Sequence, residues 1–400
     1  MQKKNKNGTI YYGWFVVLGA FLALLISSVR SYSFGVFILP LTEEFGWPRG
    51  PLTLGFSLSL LMTSFLGIVS GKLSDRYGVK KVMLVGTVFI VLGFTLTSQI
   101  TSLLQLYGCF ILIGVGASAF YIPVTTTVTR WFDERRGLAI GISVTALAFG
   151  MAFFPPILER VIASIGWRST FVVIGVFSLA VLSLSTFLMK SSPESPKKKK
   201  TAEVEEEGYT LKGALKTKHF WVIYFMFLVA QFSAMTITVH IVPYSMDVGI
   251  PSFYAATLLT AVGIANIFGR IFGGWTSDKL GVIKGVTIFF LLQSIAIFSL
   301  PVSTLLWILY PVALLFGLAY GGWVMIYPVI ISRLFGTEHS GEILGALGTV
   351  AGIGGSLGPL FAGYIFDLTG VYDLAFLVSG VMCVGALALS LVFLWFFDAP

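Results

Sequence analysis

The chain has 400 residues, 56% of them apolar and only 11% charged, with a formal net charge of +8 and a mean hydropathy of +0.91. That balance excludes an ordinary soluble domain. The positive charge therefore bears on membrane orientation and anionic lipid, not on nucleic acid.

A helix needs about 20 mainly apolar residues to cross a bilayer. Twelve segments qualify: 13–40, 51–72, 82–100, 104–129, 137–160, 169–189, 219–245, 253–274, 284–301, 306–332, 342–365 and 374–397. The first follows a basic N-terminus, but it is too long for a signal peptide and lacks an A-x-A-like cleavage site, so it reads as a span. Cys109 and Cys383 both fall within spans, and no disulfide framework is expected.

With both termini placed in the cytoplasm, Arg49, Arg160 and Arg168 face outside, and Arg30 and Arg270 stay in the membrane. The remaining Lys and Arg then lie on cytoplasmic segments, a positive-inside pattern that predicts a multi-pass protein of the cell membrane.

The chain repeats at an offset of 203 residues. Pro40 maps to Pro243, Gly46 to Gly249, Gly71 to Gly274, Asp75 to Asp278, Gly78 to Gly281, Lys81 to Lys284, Arg130 to Arg333, Phe132 to Phe335 and Pro156 to Pro359. One register across six spans predicts an all-α membrane protein of two parallel-repeat halves, 1–189 and 219–400, with a site between them near the bilayer midplane. Residues 190–218 join the halves. This stretch is polar, carries Lys197–Lys200 and then Glu203–Glu207, and reads as a cytoplasmic linker. One chain already holds both halves, so a monomer suffices.

The loop after the second span reads Gly71-Lys-Leu-Ser-Asp75-Arg76-Tyr-Gly78-Val-Lys80-Lys81, with a weaker copy at Gly274–Lys284. It resembles the signature G-x-x-x-D-R-x-G-R/K-R/K of the major facilitator superfamily, and the resemblance covers the whole chain. Asp75, Arg76 and Asp278 are then gating-loop residues, pairing charges between helix ends.

Within that superfamily, Gly13-Trp14-Phe-Val16-Val-Leu-Gly19-Ala20-Phe21 is similar to the opening of the monocarboxylate transporters, although Tyr12 stands where they carry an acidic residue. Ser33-Phe34-Gly35-Val36-Phe37, Glu44-Phe45-Gly46-Trp47, Arg130-Trp131-Phe132 and Arg135-Arg136-Gly137 are similar to the bacterial branch of lactate-type carriers and oxalate/formate antiporters. Both groups bind substrate through an arginine in the eighth span, which falls on Arg270. Three charges of the relatives are missing. Asn266 replaces the aspartate one turn before that arginine, Phe34 replaces a lysine of the first span, and Gly345–Tyr364 lacks the lysine of the oxalate antiporters.

Read as residues, Arg270 is a cation at bilayer depth with no Asp or Glu near the middle of any span. Such a charge costs at least roughly 2.5–3.5 kcal/mol, and a visiting anion is its natural partner. It lies eight residues before Asp278, hence about 12 Å inside the loop motif. Its planar fork suits a carboxylate, and its counterpart in the first half is Gly67, so the charge is not repeated scaffold. Asn266, one turn away, is placed to orient the guanidinium or to bind a substrate hydroxyl. Arg30 reads as a second anion contact, an attracting charge, or the partner of Glu159 or a helix end. Its position predicts the outer half of the membrane, apart from Arg270.

Tyr121 in the fourth span and Trp323 with Tyr327 in the tenth are candidate cavity residues, and a similar pattern lines the oxalate antiporters. Tyr32 and Phe34 are further candidates. His240 reads either as a proton relay or as a satisfied core histidine. No catalytic constellation, metal spacing, cofactor motif or ATP site is present in the sequence. The expectation is a non-enzymatic secondary transporter, by resemblance a proton-linked carrier of lactate-type monocarboxylates. The alternative is an oxalate/formate-type antiporter.

Overall fold

The computed structural model describes residues 11–132, 135–190, 209–336 and 340–397. Lys3, Lys4, Lys6, Lys197–Lys200 and Glu203–Glu207, and with them the middle of the expected linker, lie outside the described residues.

Every regular element among the described residues is helical. The first half holds α1 (Gly13–Ser33), α2 (Gly35–Phe45), α3 (Arg49–Tyr77), α4 (Val79–Thr97), α5 (Leu103–Ala117), α6 (Tyr121–Trp131) and α7 (Arg136–Leu188). A single turn, α8 (Leu211–Ala214), precedes the second half. That half holds α9 (Lys218–Asp247), α10 (Ser252–Leu280), α11 (Val282–Ser299), α12 (Leu306–Phe335), α13 (Ser340–Leu347), α14 (Thr349–Thr369) and α15 (Asp373–Phe397).

Among the described residues, eleven stretches are long and apolar enough to cross a membrane. One is the 53-residue α7, which is broken at Gly166, where φ is 77° and ψ is 160°. It supplies two crossings, so the sequence's twelve spans are accounted for. The expected first span divides into α1 and α2 at Phe34, and the fourth divides into α5 and α6 around Ser118–Phe120.

The repeat is visible in the backbone. Gly78 ends α3 at φ 88° and Gly281 ends α10 at φ 93°, a region that a side chain disfavours. The loop motif thus needs glycine at the same place twice.

The two halves meet at the end of the molecule opposite the basic loops. There the Arg49 guanidinium at the start of α3 donates to both oxygens of Asp247 on α9, at 2.6 and 2.8 Å. Its ring-facing side stacks on Phe366, 3.7 Å from the ring centre. The backbone amides of Arg49 and Gly50 donate to the two Asp367 oxygens at 2.8 and 2.7 Å. No side chain of its own segment caps α3, so a carboxylate of the other half takes that place.

Deeper in, Ser57 and Ser356 each donate to the other's carbonyl, at 2.7 and 3.0 Å, and Thr260 donates to the Ala152 carbonyl at 2.7 Å. On the basic-loop side, Asp75 pairs with Arg130 at 2.7 Å, but both belong to the first half. This pair fastens α3 to α6 and does not bridge the halves.

Candidate functional site

Arg270 stands on α10, and its Nε donates to the Asn266 Oδ1 at 3.0 Å, as their spacing of one turn requires. Arg270 makes no ion pair among the described residues. Asn266 is buried, and α12 packs on it through Gly321, whose position leaves no room for a Cβ beside the Asn266 carbonyl. This close approach brings the next residue, Tyr320, into the neighbourhood of Arg270.

Three tyrosines lie within electrostatic reach of the Arg270 guanidinium: Tyr32 from α1, Tyr121 from α6 and Tyr320 from α12. Two of them belong to the first half, so the cation faces across the boundary between the halves. Tyr121 is 48% exposed although it lies beside a residue of the opposite half. That exposure beside Arg270 marks an accessible gap between the halves at this level. A cleft sealed at the Arg49 end and reaching Arg270 is the result.

The other sequence candidates take varied positions. Tyr32 is buried, interacts with Tyr320, and feels both Arg270 and Arg30. The two arginines, expected at different depths, therefore both act on one side chain. Arg30 is 7% exposed, and among the described residues its Nε has no partner and its guanidinium reaches only the Ser59 hydroxyl, at 3.5 Å. It has no carboxylate partner among the described residues, and Glu159 does not pair with it.

The buried Tyr327 hydroxyl has no hydrogen-bond partner among the described residues and lies near Tyr121 and Tyr224. Trp323 is not in the cleft wall. It is buried behind Tyr320, with ring centres 5.4 Å apart, and its Nε1 donates to Gln293 Oε1 at 2.6 Å. Phe34 is likewise a packing residue, stacked on Phe56 at 5.2 Å and against Phe110 at 5.3 Å.

His240 lies away from the cleft. It is fully buried, its Nδ1 is 3.0 Å from the Tyr372 hydroxyl, and its Nε2 is 2.9 Å from the Pro359 carbonyl. The carbonyl can only accept, so the proton sits on Nε2 and Nδ1 accepts from Tyr372.

Sequence reading missed Tyr320 and Gln231. Gln231 on α9 is buried and interacts with Tyr320, which adds an amide to the polar cluster. Tyr320 directly precedes the Gly321-Gly322 pair, and that adjacency was the available signal. Outside the membrane, Arg168 donates to Glu44 at 2.7 Å. This hydrogen bond holds the Glu44 carboxyl below its usual range. Among the described residues, no three His, Cys, Asp or Glu side chains converge as metal ligands.

The chain is similar to several known proteins. It is 26% identical to the oxalate:formate antiporter of Oxalobacter formigenes, over 97% of this chain and 93% of that one. It is also 26% identical to monocarboxylate transporter 12 of Xenopus laevis, over 92% and 86% of the two chains. Among solved structures it superposes with a TM-score of 0.77 on an inward-facing, unoccupied bacterial homologue of the human lysosomal transporter Spinster. That match covers 96% of this chain and 97% of the other at 16% identity, a likeness of fold. The family model for the major facilitator superfamily matches residues 17–359. With an all-helical fold of two repeated halves and a cleft between them, the chain belongs to the major facilitator superfamily, whose members are membrane transporters and not enzymes.

Proposed function

We propose that this protein carries small monocarboxylates of the lactate or pyruvate type across the cell membrane by alternating access, coupled to protons. The halves 1–189 and 219–400 rock about the site, and residues 190–218 link them on the cytoplasmic side. Positive-inside bias supports cytoplasmic termini, and with that orientation the present state is inward-facing.

One observation carries the substrate reading. Arg270 lies at bilayer depth beside an open cleft, held by Asn266 through Nε alone, with both terminal nitrogens left without a protein partner among the described residues. A charge in that setting calls for an anion, and a carboxylate matches its two-pronged geometry. The hydroxyls of Tyr32, Tyr121 and Tyr320 are placed to hold the rest of a small, polar acid. The proton need not travel on a protein carboxylate if it follows the bound acid.

A second reading, exchange of oxalate for formate, is favoured by Tyr32, which feels Arg30 as well as Arg270. Two cations near one side chain suit a dianion.

Uptake of radiolabelled lactate into proteoliposomes, with and without an imposed pH gradient, tests the proposal. Gradient-stimulated uptake that excess lactate or pyruvate competes away is the expected result. Uptake that is indifferent to pH but requires internal formate would replace it with the exchanger.

A further inference from the structure

Arg49 is one of the points where the halves are fastened, and it is also wired to a histidine. Its Nη1 donates to the Tyr372 hydroxyl at 2.9 Å. Tyr372 in turn donates to Nδ1 of His240 at 3.0 Å, and His240 Nε2 donates to the Pro359 carbonyl at 2.9 Å. The chain Arg49–Tyr372–His240–Pro359 is complete only if the imidazole is neutral, because Tyr372 needs an acceptor at Nδ1.

We propose that His240 is a proton sensor for the outer gate: acid on the outer face protonates it and holds the Arg49 end of the halves open. The inference does not depend on which acid the protein carries.

A protonated imidazole is a donor at both nitrogens. Nε2 keeps Pro359, but Nδ1 then turns its proton toward the Tyr372 oxygen, which Arg49 already occupies. The Tyr372 proton loses its acceptor inside a fully buried cluster, where Tyr372 is 1% exposed and His240 0%. An unsatisfied buried group of this kind is costly. The protonated ring also adds a second positive charge beside Arg49, the one charged group within its electrostatic reach among the described residues. The closed gate therefore requires neutral His240, and a proton taken up while the gate is open blocks reclosure.

The charged and titratable groups around this network sit on α3, α9, α14, α15 and α2; α10 and α1 also pack on α9, but their Arg270 and Arg30 do not act on the ring. From α3 comes Arg49; from α9 itself come Asp247, on Arg49, and Tyr244, whose hydroxyl is taken by the Leu300 carbonyl. From α14 comes Asp367, on the α3 amides, and at the head of α15 Asp373 acts on Tyr244. From α2, Glu44 is committed to Arg168 and Trp167. A hydrated imidazole ordinarily titrates near 6.5 and a carboxylate near 4, so once the gate is open the range from pH 8 to pH 5 reads the histidine and not the carboxylates. Phe37 stands at the repeat-related position of the first half, which leaves the device on one side of the gate only.

The test places spin labels on Leu104→Cys and Val302→Cys, both 79% exposed at the outer ends of opposite halves. Cys109 and Cys383 are replaced by alanine, and the full chain is studied in lipid nanodiscs. The population with the longer outer distance should rise roughly tenfold from pH 8 to pH 5, the weight of about one hydrogen bond. His240→Gln can donate to Pro359 and accept from Tyr372 without titrating, so it should stay closed at both pH values. Tyr372→Phe cuts the link to Arg49 and should shrink the response. A parent distance that does not change with pH, or a His240→Gln chain that opens as the parent does, overturns the proposal. If His240→Gln cannot be purified, an undiminished response in Tyr372→Phe overturns it equally.

Discussion

The Nε of Arg270 donates to Asn266 Oδ1, 3.0 Å away on the same face of α10, while both terminal nitrogens of the guanidinium lack a protein partner among the described residues. The bond fixes the plane of the fork without neutralising its charge. A neutral orienting residue therefore leaves the cation's full attraction available to any anion that approaches.

Replacing Arg270 should abolish binding without unfolding the protein. Arg270→Ala removes the cation, and Arg270→Lys keeps a charge but loses the fork and the bond to Asn266. Both should reduce lactate affinity by at least about tenfold to a hundredfold, the weight of a charged hydrogen bond of about 1.5–3 kcal/mol. Isothermal titration of the purified variants checks this, and retained affinity in Arg270→Ala would remove Arg270 from the site.

Asn266→Asp should make transport depend on acid. The new carboxylate would pair with Arg270 one turn away, which depresses its pKa and sets it in competition with the substrate. Transport should be weak at neutral pH and recover as pH falls through the carboxylate range, because protonation frees the arginine. An unchanged pH profile in proteoliposome uptake would place Asn266 outside the binding step.

Tyr320→Phe should separate polar acids from plain ones. Removing the hydroxyl that meets Tyr32 and Gln231 should raise KM for lactate or glycolate several-fold and change acetate little. Trp323→Phe, one layer behind and bonded to Gln293, should lower stability and affect all acids alike. Equal effects of Tyr320→Phe on all three acids would show that this hydroxyl serves packing alone.

Arg30→Gln should distinguish the two substrate readings. If Arg270 alone holds the carboxylate, monoanions and dianions lose affinity by the same modest factor, and that is the expected outcome. A selective loss of oxalate binding, measured beside lactate in one competition assay, would favour the exchanger.

The Glu44–Arg168 clamp should give stability a small acid dependence. Arg168 holds the folded carboxyl below its usual range, so the clamp contributes fully above the unfolded value near 4.3 and is lost as pH falls through the folded one. Both side chains are about 40% exposed, at 38% and 41%, and water screens the pair to no more than about 1 kcal/mol. Thermal melts of Glu44→Gln should lie slightly below the parent's at pH 7, and the gap should close as pH falls through the folded carboxyl's depressed value.

The fold was legible because bilayer thickness and a 203-residue register are both written in one dimension. Gly78 and Gly281 show how directly: the same residue, the same left-handed turn, twice. The bond between Arg270 and Asn266 was legible for a similar reason, since i,i+4 spacing is local. Tyr320 was not, because its orientation depends on how tightly Gly321 lets α12 approach α10. Trp323 and Phe34 looked like cavity aromatics, yet an aromatic ring carries no mark of whether it faces a void or a neighbour. The three partners of the Arg49 side chain, Asp247, Phe366 and Tyr372, all come from the other half. No local pattern could have announced them.

The borrowed cap on α3 has a consequence for how the cycle can be watched. The Arg49 and Gly50 amides are satisfied by Asp367 only while the two halves touch. When they part, those two amides must turn to water, and the first turn of α3 loses its anchor. Deuterium uptake at this one helix start should thus act as a natural clock of gate opening. It is readable in the unlabelled protein, and substrate or pH should speed or slow it without any engineered reporter.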